Sequence, residues 1–168
     1  MRSNIRKTED SRFNLASILL REVDEATSSL NTCLGELEEV LARPAFDAAA
    51  LTSVRLRLAG IRLTRGPLIA RMSDFLAGRV TEVQKAALDE LRASHQDILR
   101  AATAHTSKWT LDAIGRDWLN YRRETQTLVS RWRAKSDQDG QLIYPLLKNA
   151  VRSLDLGRRL PPTDNPRA

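Results

Sequence analysis

The amino-acid sequence predicts an all-α protein, an antiparallel up-down-up-down four-helix bundle, and three observations lead there. Apolar residues recur at alternating spacings of three and four over four long stretches, the spacing that lays one apolar seam along a helix. The joints between these stretches are short, which favours antiparallel neighbours. No stretch has the period-two alternation of a strand, and seven Gly and six Pro in 168 residues leave few interruptions.

The first helix is predicted over Ser11–Ala42, with Leu19, Val23, Ala26, Leu30, Cys33, Leu37 and Val40 on its seam. Asp10 or Ser11 is placed to cap it, and Pro44 ends it because the residue before a proline is pushed out of the helical region. Asp47 caps a second helix reaching Ala77, which carries Leu51, Val54, Leu58, Ile61, Leu68, Met72 and Phe75 on one face. Gly66-Pro67 lies inside it and predicts a bend or break. On the opposite side Ala49, Leu56, Leu63 and Ala70 form a second stripe, which makes Leu56 and Leu63 candidates for an interaction face.

Thr81 and Gln84 have the spacing of a capping box for a third helix over Glu82–Thr106, whose seam reads Leu88, Leu91, His95, Ile98, Ala102 and His105. After a joint near Ser107–Thr110, the fourth helix carries Ile114, Trp118, Tyr121, Thr125, Leu128 and Trp132, and the count extends to Lys135, Asp139 and Leu142. Asp137–Gly140 reads locally as a turn, yet the seam resumes in register at Leu142, Ile143 and Leu146. A continuous or kinked helix ending near Pro145 is therefore expected, with a further helical turn over Leu146–Leu154. The bundle domain spans residues 11–154. Residues 1–10, polar and charged, and residues 155–168, with three prolines among charges, are expected to be flexible.

Composition bounds the function. With 42% apolar and 29% charged residues the chain is globular, and its length suits one core. The net charge of +6 could draw an acidic partner, but the cations are spread over every helix. Eight aromatics and no groove-fitting motif favour a solvated basic surface over a nucleic-acid interface. A single cysteine, Cys33, excludes an internal disulfide, and no Cys/His cluster has zinc-site spacing. The absence of a signal-like start or of a run near the ~18 apolar residues that span a bilayer leads us to expect a cytoplasmic protein without a membrane partner. No Gly-rich phosphate loop, no His-Glu-x-x-His pattern and no nucleophile with its base can be read, so neither catalysis nor a cofactor is expected.

The polar residues on the seams are the candidates for chemistry. His95 stands where leucines dominate, and an imidazole can donate, accept, bind a metal or be phosphorylated. Without partners at ligand spacing, it is expected as a core histidine whose ring nitrogens are satisfied locally. His105 lies about 15 Å further along the helix, too far to share an ion with His95, and is expected as a boundary residue favoured by the helix dipole when protonated. Asp139 on the fourth seam must be paired or near water. Arg65, on the core-facing side of the second helix, is its candidate partner, although turn chemistry favours Asp139 in an exposed turn with the second helix broken at Gly66-Pro67. Cys33, Trp118 and Trp132 are expected in the core.

Three stretches carry a family resemblance: Leu19-Leu20-Arg21-Glu22-Val23-Asp24-Glu25, Leu91-Arg92-Ala93-Ser94-His95-Gln96-Asp97-Ile98, and Gly140-Gln141-Leu142-Ile143-Tyr144-Pro145-Leu146-Leu147. In order, they resemble the first, third and fourth helices of the hemerythrin-like, or HHE cation-binding, family, over about Ser11–Leu147. The resemblance implies a four-helix bundle whose helices converge histidines and carboxylates on metal. Here Val23 takes the place of the first histidine and His95 matches the third helix. Lys135 and Asp139 fall where the last His-x-x-x-Glu would precede Tyr144-Pro145. Ile61 and Arg65 are the equivalents of the other pair, and His105 matches no family ligand. The resemblance thus implies a member without bound metal, in which Arg65 and Lys135 replace the metal charge and pair with Asp139. The expected function is a non-enzymatic interaction or regulatory protein that binds a protein partner or a second copy through an outer helical face. The alternatives are a cation or small-ligand sensor using His95 and Asp139 with Glu22 or Glu25, and histidine phosphotransfer through His95 or His105.

Overall fold

The computed structural model describes residues 2–159, and the side chains of residues 11–156. Regular structure among the described residues is entirely helical. It comprises α1 (Arg2–Ala42), α2 (Ala48–Leu76), α3 (Glu82–Lys108), the short α4 (Leu111–Arg116) and α5 (Trp118–Arg159).

The helix starts follow from their capping residues. Asp47 accepts the Ala50 amide at 3.0 Å and is also held by an ion pair with Arg43, which closes the α1–α2 turn. The Thr81–Gln84 capping box forms reciprocally at 3.3 and 2.9 Å. Thr110 accepts from Ala113 at 3.2 Å to start α4. Asp117 then does two jobs: its own amide closes onto the Ala113 and Ile114 carbonyls, and its carboxylate accepts from Asn120 at 3.2 Å to start α5. The sequence reading put one joint at Ser107–Thr110, whereas the structure has a second one at Asp117.

Three helices run further than their local signals predict. Helix α1 begins at Arg2, so it includes most of the segment expected to be flexible. Helix α2 passes through Gly66 and Pro67 without the predicted break. Pro67 removes one amide donor, but the next turns bury Leu68, Ile69, Met72 and Phe75, and each such side chain contributes about 1.5–3 kcal/mol. Helix α5 continues through Asp137–Gly140 and past Pro145 to Arg159, because Ile143, Leu146, Leu147 and Ala150 keep the seam buried on both sides of the proline. The expected flexible tail therefore begins inside α5, and residues 160–168 lie outside the described residues.

Cross-helix pairs give the packing. Glu22–Arg71 and Glu36–Arg57 join α1 to α2, and Asp74–Arg92 with Arg55–Thr106 join α2 to α3. Lys108–Glu124 joins α3 to α5, while Glu38–Arg133 and the Tyr144 bonds to Asp24 and Thr27 join α5 to α1. Partner numbers run in opposite directions wherever two pairs are given, so these neighbours are antiparallel. Helix α1 packs closely along α5 and α2, and the backbone of α3 approaches its neighbours less closely.

The buried apolar side chains form two clusters. One gathers Leu30, Leu34, Leu51, Ile98, Tyr121 and Trp132, among others. The other gathers Leu19, Leu68, Met72, Leu91, Ile143 and Leu147, among others. On α3 the change from one cluster to the other falls between Leu91 and Ile98, and on α5 between Trp132 and Ile143.

Candidate functional site

The helices place polar residues where the two apolar clusters part. Arg65 on α2, His95 on α3, and Ser136 and Asp139 on α5 are all buried, at 6%, 2%, 4% and 2% exposure. Lys135 stands at the edge of this layer, its side chain 11% exposed. The Arg65 Nη2 lies 3.5 Å from Asp139 Oδ2, reaching across to a helix that α2 otherwise barely touches. Lys135, one turn before Asp139, pairs with Oδ1. The exposed-turn reading of Asp139 is thus overturned. Seam register outweighs the turn propensity of Asp137–Gly140, because a turn there would take Ile143 and Leu147 out of the core.

Burial and charge compete in this layer. Burial pushes the Asp139 carboxyl above its ordinary value, while Lys135 and Arg65 pull it back. Burial also lowers the His95 imidazole, and the neighbouring Arg65 and Lys135 charges add to that, bringing its pKa to about 4. The ring is therefore neutral near pH 7. It makes a T-shaped contact with Trp132, ring centroids 6.4 Å apart, and neither ring nitrogen has a hydrogen-bond partner among the described residues. The expectation of a locally satisfied ring is corrected by its surroundings: Leu91 and Ile98 flank it on α3, and its cationic neighbours are drawn to Asp139. Arg65 Nε, Ser136 Oγ and Asp139 Oδ2 likewise lack hydrogen-bond partners there.

The remaining candidates disperse. Val23 is buried among apolar side chains and Ile61 packs partly buried against the first cluster. Glu22 is held by Arg71 at 2.9 Å and Glu25 by Arg21 at 3.7 Å, so neither carboxylate is committed to His95. Cys33 is buried with its Sγ 3.7 Å from the Val54 carbonyl, and burial raises its thiol pKa. Trp132 is a core residue, and Trp118 stacks between Phe46 and Tyr121 at 5.6 and 5.7 Å. Leu56 and Leu63 project outward from α2 at 68% and 77% exposure. His105 is half-buried with its Nε2 3.1 Å from Thr125 Oγ1. It thus lies at the boundary of the core, and burial, followed by the Arg55 charge, lowers its pKa. His95, shielded from solvent, is not presented as phosphotransfer requires.

Sequence reasoning missed Ser136, which falls one residue beside the three-four count. The inward stripe of a packed helix is broader than a single seam, and that width is the signal that would have included it.

The residues do not fit a dinuclear iron centre. At the positions that the resemblance assigns to ligands stand two hydrocarbons, Val23 and Ile61, and two cations, Arg65 and Lys135. His95 and Asp139 alone remain of that set, whereas each iron requires several nitrogen and oxygen donors. Among the described residues no group of three or more His, Cys, Asp and Glu is placed to hold a metal, and no helix is long and apolar enough to cross a membrane. No family model, curated protein or solved structure matches the chain.

Proposed function

We propose that the chain is a non-enzymatic interaction or regulatory protein built on a hemerythrin-like four-helix bundle that has exchanged metal ligation for an internal ion-pair cluster. The observation that carries this reading is the Arg65–Asp139–Lys135 cluster, which occupies the layer where the resemblance places ligands. A guanidinium and an ammonium on one carboxylate supply the positive charge that a cation would otherwise bring. The function then lies on an outer face, and α2 supplies it through the widely exposed Leu56 and Leu63. Isolated exposed leucines are ordinary, but two on one helix side, two turns apart, are spaced to meet a partner helix or a second copy of the same face.

Sedimentation of the full chain tests the self-association form. The wild type is expected to sediment as a dimer, and the Leu56→Glu, Leu63→Glu double variant as a folded monomer. A monomeric mass for both would remove self-association through this face.

A further inference from the structure

Helix α3 packs less closely on α2 than α1 does, and a cavity of about 60 Å³ lies beside that seam, next to the buried polar layer through Trp132. Among its lining residues, Arg55, Leu58 and Arg62 on α2, His105 and Thr106 on α3 and Leu128 on α5 keep solvent exposure, with Thr106 the most exposed. Those contributed by α1 are buried. Most of the exposed lining thus lies on α2 and α3, where the mouth opens, and the floor is formed by buried side chains such as Leu34 on α1 and Val129 on α5. The volume is that of roughly two water molecules, enough for the tail of a small organic molecule.

The charge of the lining is one-sided. No carboxylate lines the cavity, while two guanidiniums do. Arg55 is pinned, donating to the Trp109 carbonyl at 3.0 Å and the Thr106 carbonyl at 3.3 Å. Arg62 forms no hydrogen bond or ion pair with the described residues, and burial, with Arg55 nearby, lowers its pKa. The other polar groups satisfy one another: Thr125 Oγ1 donates to the Tyr121 carbonyl at 2.7 Å, so it accepts from His105 Nε2–H. Glu124, near His105, is held by Lys108 at 2.7 Å and by Trp109 Nε1 at 2.9 Å. A partly buried arginine lining a cavity with an apolar floor suits an anion that brings its own hydrocarbon.

We propose that this cavity binds a short-chain monocarboxylate, with the carboxylate on Arg62 under the mouth and the alkyl tail against Leu34, Leu58 and Val129. The site shares Trp132 with the His95 layer but none of its lining residues with the Arg65–Asp139–Lys135 cluster, and neither Leu56 nor Leu63 lines it.

Calorimetric titration of the full chain at constant ionic strength tests it with three probes: propionate, its neutral amide propionamide, and inorganic phosphate, an anion without a tail. Saturable one-to-one binding of propionate is expected, with propionamide and phosphate each at least about tenfold weaker, since a charge-assisted bond and a buried tail are each worth that much. Arg62→Met keeps the stem and breaks no bond of the fold, and it is expected to weaken propionate about tenfold, with Arg62→Lys recovering part of the loss. Absence of saturable propionate binding would overturn the proposal. So would equal binding of propionamide, equal binding of phosphate, or an Arg62→Met variant that binds like the wild type.

Discussion

Asp139 is 2% exposed between two cations, and the consequence of removing it differs from that of removing the whole cluster. Asp139→Ala leaves Arg65 buried without its counter-charge and is expected to cost about 3–5 kcal/mol in urea denaturation. Replacing all three by apolar residues, Arg65→Met, Lys135→Met and Asp139→Leu, is expected to restore most of that stability, because the desolvation of the charges goes with them. A triple variant no more stable than Asp139→Ala would show that the cluster itself holds the helices together. His95 gives a pH test at the same scale. Its folded pKa, about 4, lies below the ordinary 6.5, so its contribution to stability is complete above pH 6.5 and is lost as the pH falls through 6.5 towards 4. Between pH 7.5 and pH 5 the wild type is expected to lose about 2 kcal/mol more than His95→Leu, measured by urea denaturation at both values. Equal losses in the two proteins would clear His95 of the effect.

At the scale of elements, α2 runs through Gly66, where an added Cβ would meet nothing within 4 Å beyond its chain neighbours. Gly66→Ala is expected to raise stability by about 0.5–1 kcal/mol, visible as a higher Tm, by lowering the entropy of the unfolded chain. An unchanged or lower Tm would mean that the Gly66-Pro67 step relies on glycine. The helices and their seams were legible in the sequence because a spacing of three and four is a local property. Pro67 and Pro145 were misread because their local penalty is opposed by burial of Leu68, Ile69, Leu146 and Leu147 against other helices, which local reading does not weigh. Asp117 was passed over because a one-residue joint interrupts no seam. The individual polar residues were visible, yet the Arg65–Asp139 pair depends on the axial alignment of two helices far apart in the chain. The unpartnered nitrogens of His95 depend on every neighbour at once.

For the molecule as a whole, packing is uneven. Helix α1 holds α2 and α5 along its length, whereas α3 is attached more thinly and borders the cavity. Native-state hydrogen exchange is expected to find α3 amides opening at lower free energy than those at the centres of α1 and α5. Uniform protection across the three would contradict it. The division of the core has a further consequence. Two leucine-rich halves alone would tolerate sliding of one helix along another by a turn, since one apolar side chain replaces another. Moving α2 by one turn would set Asp139 against Ile61 or Ile69 and leave both it and Arg65 buried and unpaired, costing several kcal/mol. The charged layer thereby acts as an alignment key: it adds little to the depth of the native well, but it disfavours the neighbouring registers that an uninterrupted apolar core would allow.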